Sequence, residues 1–410
     1  MTFTDGLNQP KSIKLDNAYN VQKLLVHGQG VFIFHNQNGL TPCDFYIYNK
    51  DRSNGYYVLF EERSIKVSGI INCKTLIDKE NENGLLEKNG IYYWFSIDSQ
   101  NRCFYAGFGE ARVENIEYFY QLPEDSREFL ESLTQIVICK NNDLVPLKLL
   151  RDPITKNIPL KVKDTNELTM DDVAKNSYMP VANLTNVCQK LYNCISGEKF
   201  VLDSLDFPDF SDAIEHSINT PGCWCYQKLR EKATEFNPDK PNLNETYLRI
   251  TLGQNNGESP GIPYVMEIWP VGHYSPVHNH SGANAIIRVF HGSINVTLYP
   301  FLCDSMDGIA PFGDADFNEG DITWISANYN QVHQLKNLET NNKACITIQC
   351  YMYDETDTLH YDYFDYLDDD YKKEQYNPDS DCEFMKFKQI IKEEWSTYNR
   401  RLNLKKRKLN

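Results

Sequence analysis

Of the nine histidines in the chain, three are spaced as a metal would need them: His278 and His280 in GHYSPVHNH (272–280), and His333 in HQLKN (333–337). In an extended strand, residues i and i+2 face the same way, about 6 to 7 Å apart along the strand, so the two imidazoles of an H-x-H pair can meet one ion in adjacent positions. A third ligand must come from a neighbouring strand, and His333 lies one turn-and-return later. Three neutral imidazoles leave a divalent ion its full charge and leave coordination positions open, which suits a site for an anionic substrate. H-x-H also occurs as plain polar surface, so the elements that carry these residues decide the matter.

From residue 246 onward, TYLRITL, YVMEIWPV, AIIRVFHGSINVTLYPF, DITWISA, VHQLKNL and ACITIQCYMYDE predict strands separated by Gly, Asn and Asp turns. Ahead of them, LTNVCQKLYNCIS places Leu184, Val187, Leu191 and Ile195 at helical spacing, and DFSDAIEHSI and WCYQKLREKATEF predict two more helices. Between about 20 and 125, VFIFHNQNGL, DFYIYNKDRSNGYYVLFEE, IYYWFSIDSQNRCFYAGFG and ARVENIEYFYQL read as strands and hairpins turned by NQNG, RSNG and DSQN. PEDSREFLESLTQIVICK opens as a helix with an acidic first turn. LVPLKLLRD and NIPLKVKD, joined by PITK, read as a strand pair, and the polar stretch 164–180 reads as a boundary. The expected organisation is therefore mainly β. An antiparallel β-sandwich for recognition or docking spans 1–130, a connecting segment 131–182, an α+β domain of helices followed by a jelly-roll barrel 183–370, and a charged helical tail 371–410.

Bulk composition narrows the function classes. The 26 Tyr and 21 Phe favour β architecture, and a formal charge of −16 argues against nucleic acid as a partner of the folded body. The basic stretch NRRLNLKKRKLN (399–410) is expected to be a solvated tail. No uncharged apolar run approaches the roughly 20 residues needed to span a bilayer, and MTFTDGLNQPKS carries no apolar signal region, so neither membrane insertion nor secretion is expected. Twelve cysteines without C-x-x-C spacing or a compact disulfide framework suit free thiols in a reducing compartment. A cytoplasmic location is the expectation.

Gly272-x5-His278-x-His280 with Gly292, followed by Gly320, His333 and Asn337, resembles the two cupin motifs. Over about 190 residues, 184–370, the sequence resembles cysteine dioxygenase. TYLRITL (246–252), GHYSPVHNH, RVFHGSINVTLY (288–299), HQLKN and DTLH (357–360) occur in the family's order. The resemblance implies a cupin barrel in which His278, His280 and His333 hold Fe(II). It implies that Arg249, two residues after Tyr247, grips the substrate carboxylate with support from Tyr247; a guanidinium suits a bidentate carboxylate contact. The family's Ser-x-His-x-Tyr strand becomes Thr347-Ile-Gln349-Cys-Tyr351 here. Tyr351 keeps the phenol expected near bound oxygen, Thr347 keeps a hydroxyl, and Gln349 replaces the His with a neutral amide. Ala285 stands where most cupins place a metal-binding Glu and animal cysteine dioxygenases place the Cys that crosslinks the Tyr. Cys350, adjacent to Tyr351, is expected to face the other way. The implied activity is oxidation of L-cysteine by O2 to cysteine sulfinate. The alternatives are a three-His cupin acting on another small thiol, or an inactive cupin serving as a binding or structural protein. Separately, IYYWFSIDSQNRCFYAGFGEARVENIEYF (91–119) resembles the farnesoic-acid-methyltransferase-like domain, a β-sandwich recognition module that brings no catalytic residues.

Overall fold

Aromatic and β-branched residues at alternate positions give a strand one apolar face, and that face must be covered by another sheet or by helices. The chain does this in two compact units, Met1–Ile158 and Pro159–Asn410. The computed structural model describes residues 12–16, 20–36, 41–71, 74–80, 92–139, 143–253, 264–303, 310–353 and 364–409.

The first unit holds β1 (Ser12–Lys14), β2 (Val21–Lys23), β3 (Gln29–Asn36), β4 (Cys43–Asn49), β5 (Gly55–Phe60), β6 (Ser64–Gly69), β7 (Thr75–Glu80), β8 (Tyr92–Asp98), β9 (Cys103–Phe108), β10 (Ile116–Gln121), the short helix α1 (Arg127–Glu131), β11 (Leu133–Ile138) and β12 (Leu144–Leu150). They form two antiparallel sheets in the orders β1-β12-β3-β8-β9-β10 and β2-β11-β4-β5-β6-β7. Rings from the two sheets meet edge to face, Phe32 on Phe45 and Phe34 on Phe60 at 5.0 Å, and Phe95 on Phe45 at 5.9 Å. This is the expected sandwich. The β8–β9 turn forms because the Asp98 carboxylate accepts from the N–H groups of Gln100 and Asn101.

Residues 131–182, read as a connecting segment, divide between the units. β11 lies between β2 and β4, and β12 lies between β1 and β3, both inside the sandwich sheets. LVPLKLLRD and NIPLKVKD are therefore not paired with each other. The second phrase supplies β13 (Lys161–Lys163), which pairs with β14 (Met179–Pro180) and β20 (Ile322–Ile325) in the second unit. Two alike apolar phrases specify which face is buried, and leave the partner to the sheet that offers the longer ladder.

The second unit continues with α2 (Met170–Lys175), α3 (Asn186–Ile195), α4 (Phe210–Asn219), α5 (Trp224–Glu231), β15 (Leu248–Leu252), β16 (Tyr264–Trp269), β17 (Asn284–His291), β18 (Ser293–Tyr299), β19 (Gly313–Asn318), β21 (Val332–Lys336), β22 (Cys345–Met352), β23 (Phe364–Leu367), β24 (Lys373–Tyr376), β25 (Cys382–Glu383) and α6 (Phe384–Leu409). One sheet has the order β14-β13-β20-β17-β22-β16-β15-β25, and another is β19-β18-β21. The stretch 274–278 extends the latter by bridges Tyr274↔Lys336 and His278↔His333. Taken in chain order from β16 to β22 with that stretch second, the first, eighth, third and sixth strands share one sheet. The second, seventh, fourth and fifth share the other. That interleaving is a jelly roll.

The three expected helices form as α3, α4 and α5. α3 buries Val187, Leu191 and Ile195 on β17 and β22. The expected tail, 371–410, begins with β24 of a hairpin on β23, and its helix α6 buries Phe387 and Ile391 beside α4. Among the described residues no helix is long and apolar enough to cross a membrane, and the cysteines are free.

Candidate metal centre

His278 and His333 face each other directly across an antiparallel pair and exchange both backbone hydrogen bonds, each at 3.0 Å. The H-x-H stretch is not a regular strand. It bends at Val277 and is clamped between β21 and β23, where the Leu367 N–H donates to Val277 O and the Asn279 N–H to Asp365 O. The clamp still delivers both imidazoles to one place. Ligand atoms of His278, His280 and His333 all lie within 4.8 Å of one another, and His280 Nε2 is 3.3 Å from His333 Nε2.

Backbone carbonyls set two of the tautomers. His278 Nδ1 lies 3.0 Å from Pro276 O, and His333 Nδ1 lies 3.1 Å from Asn330 O. A carbonyl only accepts, so each Nδ1 carries the proton and each Nε2 presents a lone pair. Burial lowers the pKa of His278 to about 4 and that of His333 to about 3, and it holds that of His280 well below its usual range, aided by the other two rings. All three are neutral near pH 7. Buried, neutral, convergent imidazole donors are the set that a divalent first-row metal takes, so these residues fit a metal ion. His273 is instead bonded to Thr246, His291 lies beside Glu215, and neither joins the cluster. His360 and the DTLH phrase lie outside the described residues.

β15, β16 and β22 bring the remaining residues to the same cavity. Arg249, Tyr247, Thr347, Gln349 and Tyr351 all line it. The register sets Arg249 opposite Glu267, and Glu267 opposite Thr347. Arg249 Nη1 donates to Glu267 Oε1 at 2.5 Å, with both side chains buried. Tyr351 donates its hydroxyl hydrogen to Gln349 Oε1 at 2.5 Å, and the Gln349 amide donates in turn to Glu267. An amide suits this place because it accepts at one end and donates at the other. Arg249 also donates to the Tyr351 phenol, and burial holds that phenol well above its usual range. Burial pushes the Glu267 carboxyl up while Arg249 and Gln349 oppose the shift. A guanidinium keeps its proton, and its contact with the Glu267 carboxylate at 2.5 Å supplies the counter-charge of a buried ion pair. Tyr247 stacks on Trp269 at 4.1 Å and hydrogen-bonds Tyr376. Four polar atoms of the cavity-lining residues, Arg249 Nε, Thr347 Oγ1, Trp269 Nε1 and His280 Nδ1, are buried with no hydrogen-bond partner.

Ala285 is fully buried against Tyr351 and contributes no ligand. Cys350 points away from the cavity, its thiol 3.4 Å from Leu191 O on α3. Glu267 was missed from sequence, although a lone acid inside the apolar run YVMEIW is the signal for it. Also missed were Phe364, whose ring lies 4.8 Å from that of His280, and Tyr366 and Tyr376, all carried into the cavity wall by the β23–β24 hairpin.

The cavity measures about 60 Å³. Much of its lining is apolar, including Val289, Ile294, Phe317 and Leu335. No family model matches the chain, and no curated protein matches it. Among solved structures, the cupin domain of Schizosaccharomyces pombe Cnp3 is 13% identical over 26% of this chain and 65% of that one, at a TM-score of 0.21. A cupin-like protein from Thermotoga maritima is 13% identical over 30% and 76%, at 0.22. An oxalate oxidase in complex with the substrate analogue glycolate is 17% identical over 28% and 53%, at 0.20. Likenesses at such scores carry no argument about chemistry. The fold rests on the strand order and the site on its geometry.

Proposed function

We propose that the second unit is an iron(II)-dependent thiol dioxygenase that converts a small thiol, cysteine in the family it resembles, to its sulfinate: RSH + O2 → RSO2⁻ + H⁺. The observation that carries this reading is the convergence of three neutral imidazoles on a small, mostly apolar cavity that also holds Tyr351 and Arg249. Bound by His278, His280 and His333, iron would bring thiolate and dioxygen together.

The chain's own part is positioning and exclusion of water. Val289, Ile294 and Leu335 make much of the lining apolar, which strengthens the polar contacts inside. Arg249, held by Glu267, keeps its charge beside the Tyr351 phenol and leaves its Nε–H for a ligand acceptor. The Thr347 hydroxyl and the Trp269 indole N–H are further open contacts. Tyr351 stays protonated and serves as a hydrogen-bond donor once a ligand competes with Gln349.

The test is anaerobic loading of the full chain with iron(II), then admission of air with a panel of small thiols, measuring sulfinate. Stoichiometric iron, loss of iron in His333→Ala and thiol-dependent sulfinate are expected. Bound iron with no sulfinate from any thiol would remove the dioxygenase reading. Failure to bind iron would leave a cupin without turnover.

A further inference from the structure

The sequence resemblance puts Arg249 on a substrate carboxylate, yet a carboxylate of the protein already occupies it. Arg249 Nη1 and Glu267 Oε1 are 2.5 Å apart, and Glu267 is held from its other side by the Gln349 amide. The charge of the guanidinium is thus offset before any ligand enters. What the wall still offers is hydrogen bonding without an unbalanced charge: one N–H at Arg249 Nε, one hydroxyl at Thr347 and the Trp269 indole N–H, all buried and unpartnered, with Arg249 and Thr347 6% and 1% exposed. A second carboxylate entering here would lie beside Glu267 in a site that excludes water, where like charges repel strongly.

We propose that Glu267 is a specificity-determining residue, and that the cavity takes a small thiol whose second polar group is neutral, a carbonyl, amide or hydroxyl, rather than a free carboxylate. This rests on the reading of the three histidines as the metal site that binds the thiol. Glu267 acts in two ways. It neutralises Arg249, and it places a fixed negative charge where an amino-acid carboxylate would dock, a device that selects by repulsion as well as attraction. Gln349 follows from the same arrangement, since its amide links the Tyr351 phenol to Glu267 and so keeps that carboxylate turned toward Arg249.

Cysteine and cysteinamide make the sharpest probe pair, because they have the same shape and differ by one charge. The full chain is loaded with cobalt(II) under argon, and each thiol is titrated by its thiolate-to-cobalt absorption band, so that binding is read without turnover. Cysteinamide should bind about tenfold or more tightly than cysteine, the consequence of one like-charge contact. In Glu267→Gln that preference should shrink by about tenfold or reverse, and comparing the ratio between the two proteins cancels the thiols' own acidities. Cysteine binding to the wild-type protein as tightly as cysteinamide overturns the inference, whatever the variant does. An unchanged ratio in Glu267→Gln overturns it, as does a band with neither thiol. Sulfinate formation by the iron-loaded protein is scored separately. Its absence with every thiol, alongside the cobalt preference intact, removes the dioxygenase reading and leaves the charge rule standing.

Discussion

At 2.5 Å, with side chains 7% and 6% exposed, Arg249 and Glu267 each supply the counter-charge that the other needs in order to be buried. Removing one partner strands the other, whereas removing both replaces a desolvated pair with apolar contact. Arg249→Leu should therefore cost roughly 3 to 5 kcal/mol of unfolding free energy, and the double variant Arg249→Leu/Glu267→Leu clearly less, because the stranded carboxylate is gone. Urea unfolding of the metal-free proteins checks this, and equal losses in single and double variants would mean that the two charges are not coupled. Much of the site was legible at this scale. The three histidines, Arg249, Thr347, Gln349 and Tyr351 all come from short motifs, and all line the cavity. Glu267 was hidden because its meaning depends on register. Nothing local in YVMEIW says that the acid faces Arg249 across the β15–β16 ladder.

The turn between β17 and β18 carries the barrel from one sheet to the other, and Gly292 makes it possible. Its φ is +69°, and a Cβ there would lie 2.3 Å from Ala344 O, a backbone atom with no freedom to retreat. Gly292→Ala should destabilise the second unit by about 2 kcal/mol or more, combining left-handed strain with the clash. A fall in thermal midpoint checks it, and a neutral result would mean that the β17–β18 junction relaxes freely. Strands with aromatic or β-branched alternation were legible, as were the helices with apolar residues at helical spacing. Two elements were less so. β19 (GDADFN) fully buries one side chain, Phe317, and has Asp or Asn at three of its six positions, so its strand character comes from pairing with β18 rather than from composition. The 274–280 stretch is held by pairing with β21 and β23 while bending at Val277, and a period-two reading describes its outcome but not its backbone.

The stability of the whole chain also depends on groups with no part in the proposed chemistry, such as Glu245. Burial, and then the nearby charge of Asp369, raise the Glu245 pKa from 4.5 to about 7. Between those values the folded chain keeps a proton that the unfolded chain has released, so this residue's contribution falls as pH rises from about 4.5 to 7 and stays unfavourable above that. Glu245→Gln should raise the free energy of urea unfolding at pH 8 by about 1 to 2 kcal/mol after allowance for partial solvation, with little change at pH 4.5. An equal gain at both pH values would point to packing instead. Autonomy of the second unit is the larger-scale consequence of where its strands begin. β13 pairs with β20, Trp324 Nε1 donates to Pro159 O, Thr323 Oγ1 donates to Leu160 O, and the Lys161 ammonium pairs with Asp321 at 2.7 Å. Leu160 also lines the cavity. A protein spanning 159–410 keeps all of these contacts and should fold and bind one metal ion per chain. One spanning 183–410, the boundary suggested by composition, exposes an edge of β20 and opens the wall near Leu160. It should unfold at a markedly lower temperature and bind metal more weakly. Metal titration and thermal unfolding of the two fragments side by side decide it. If 183–410 matches 159–410 in both, the strand at 161–163 is an appendage of the barrel and no part of what supports the site.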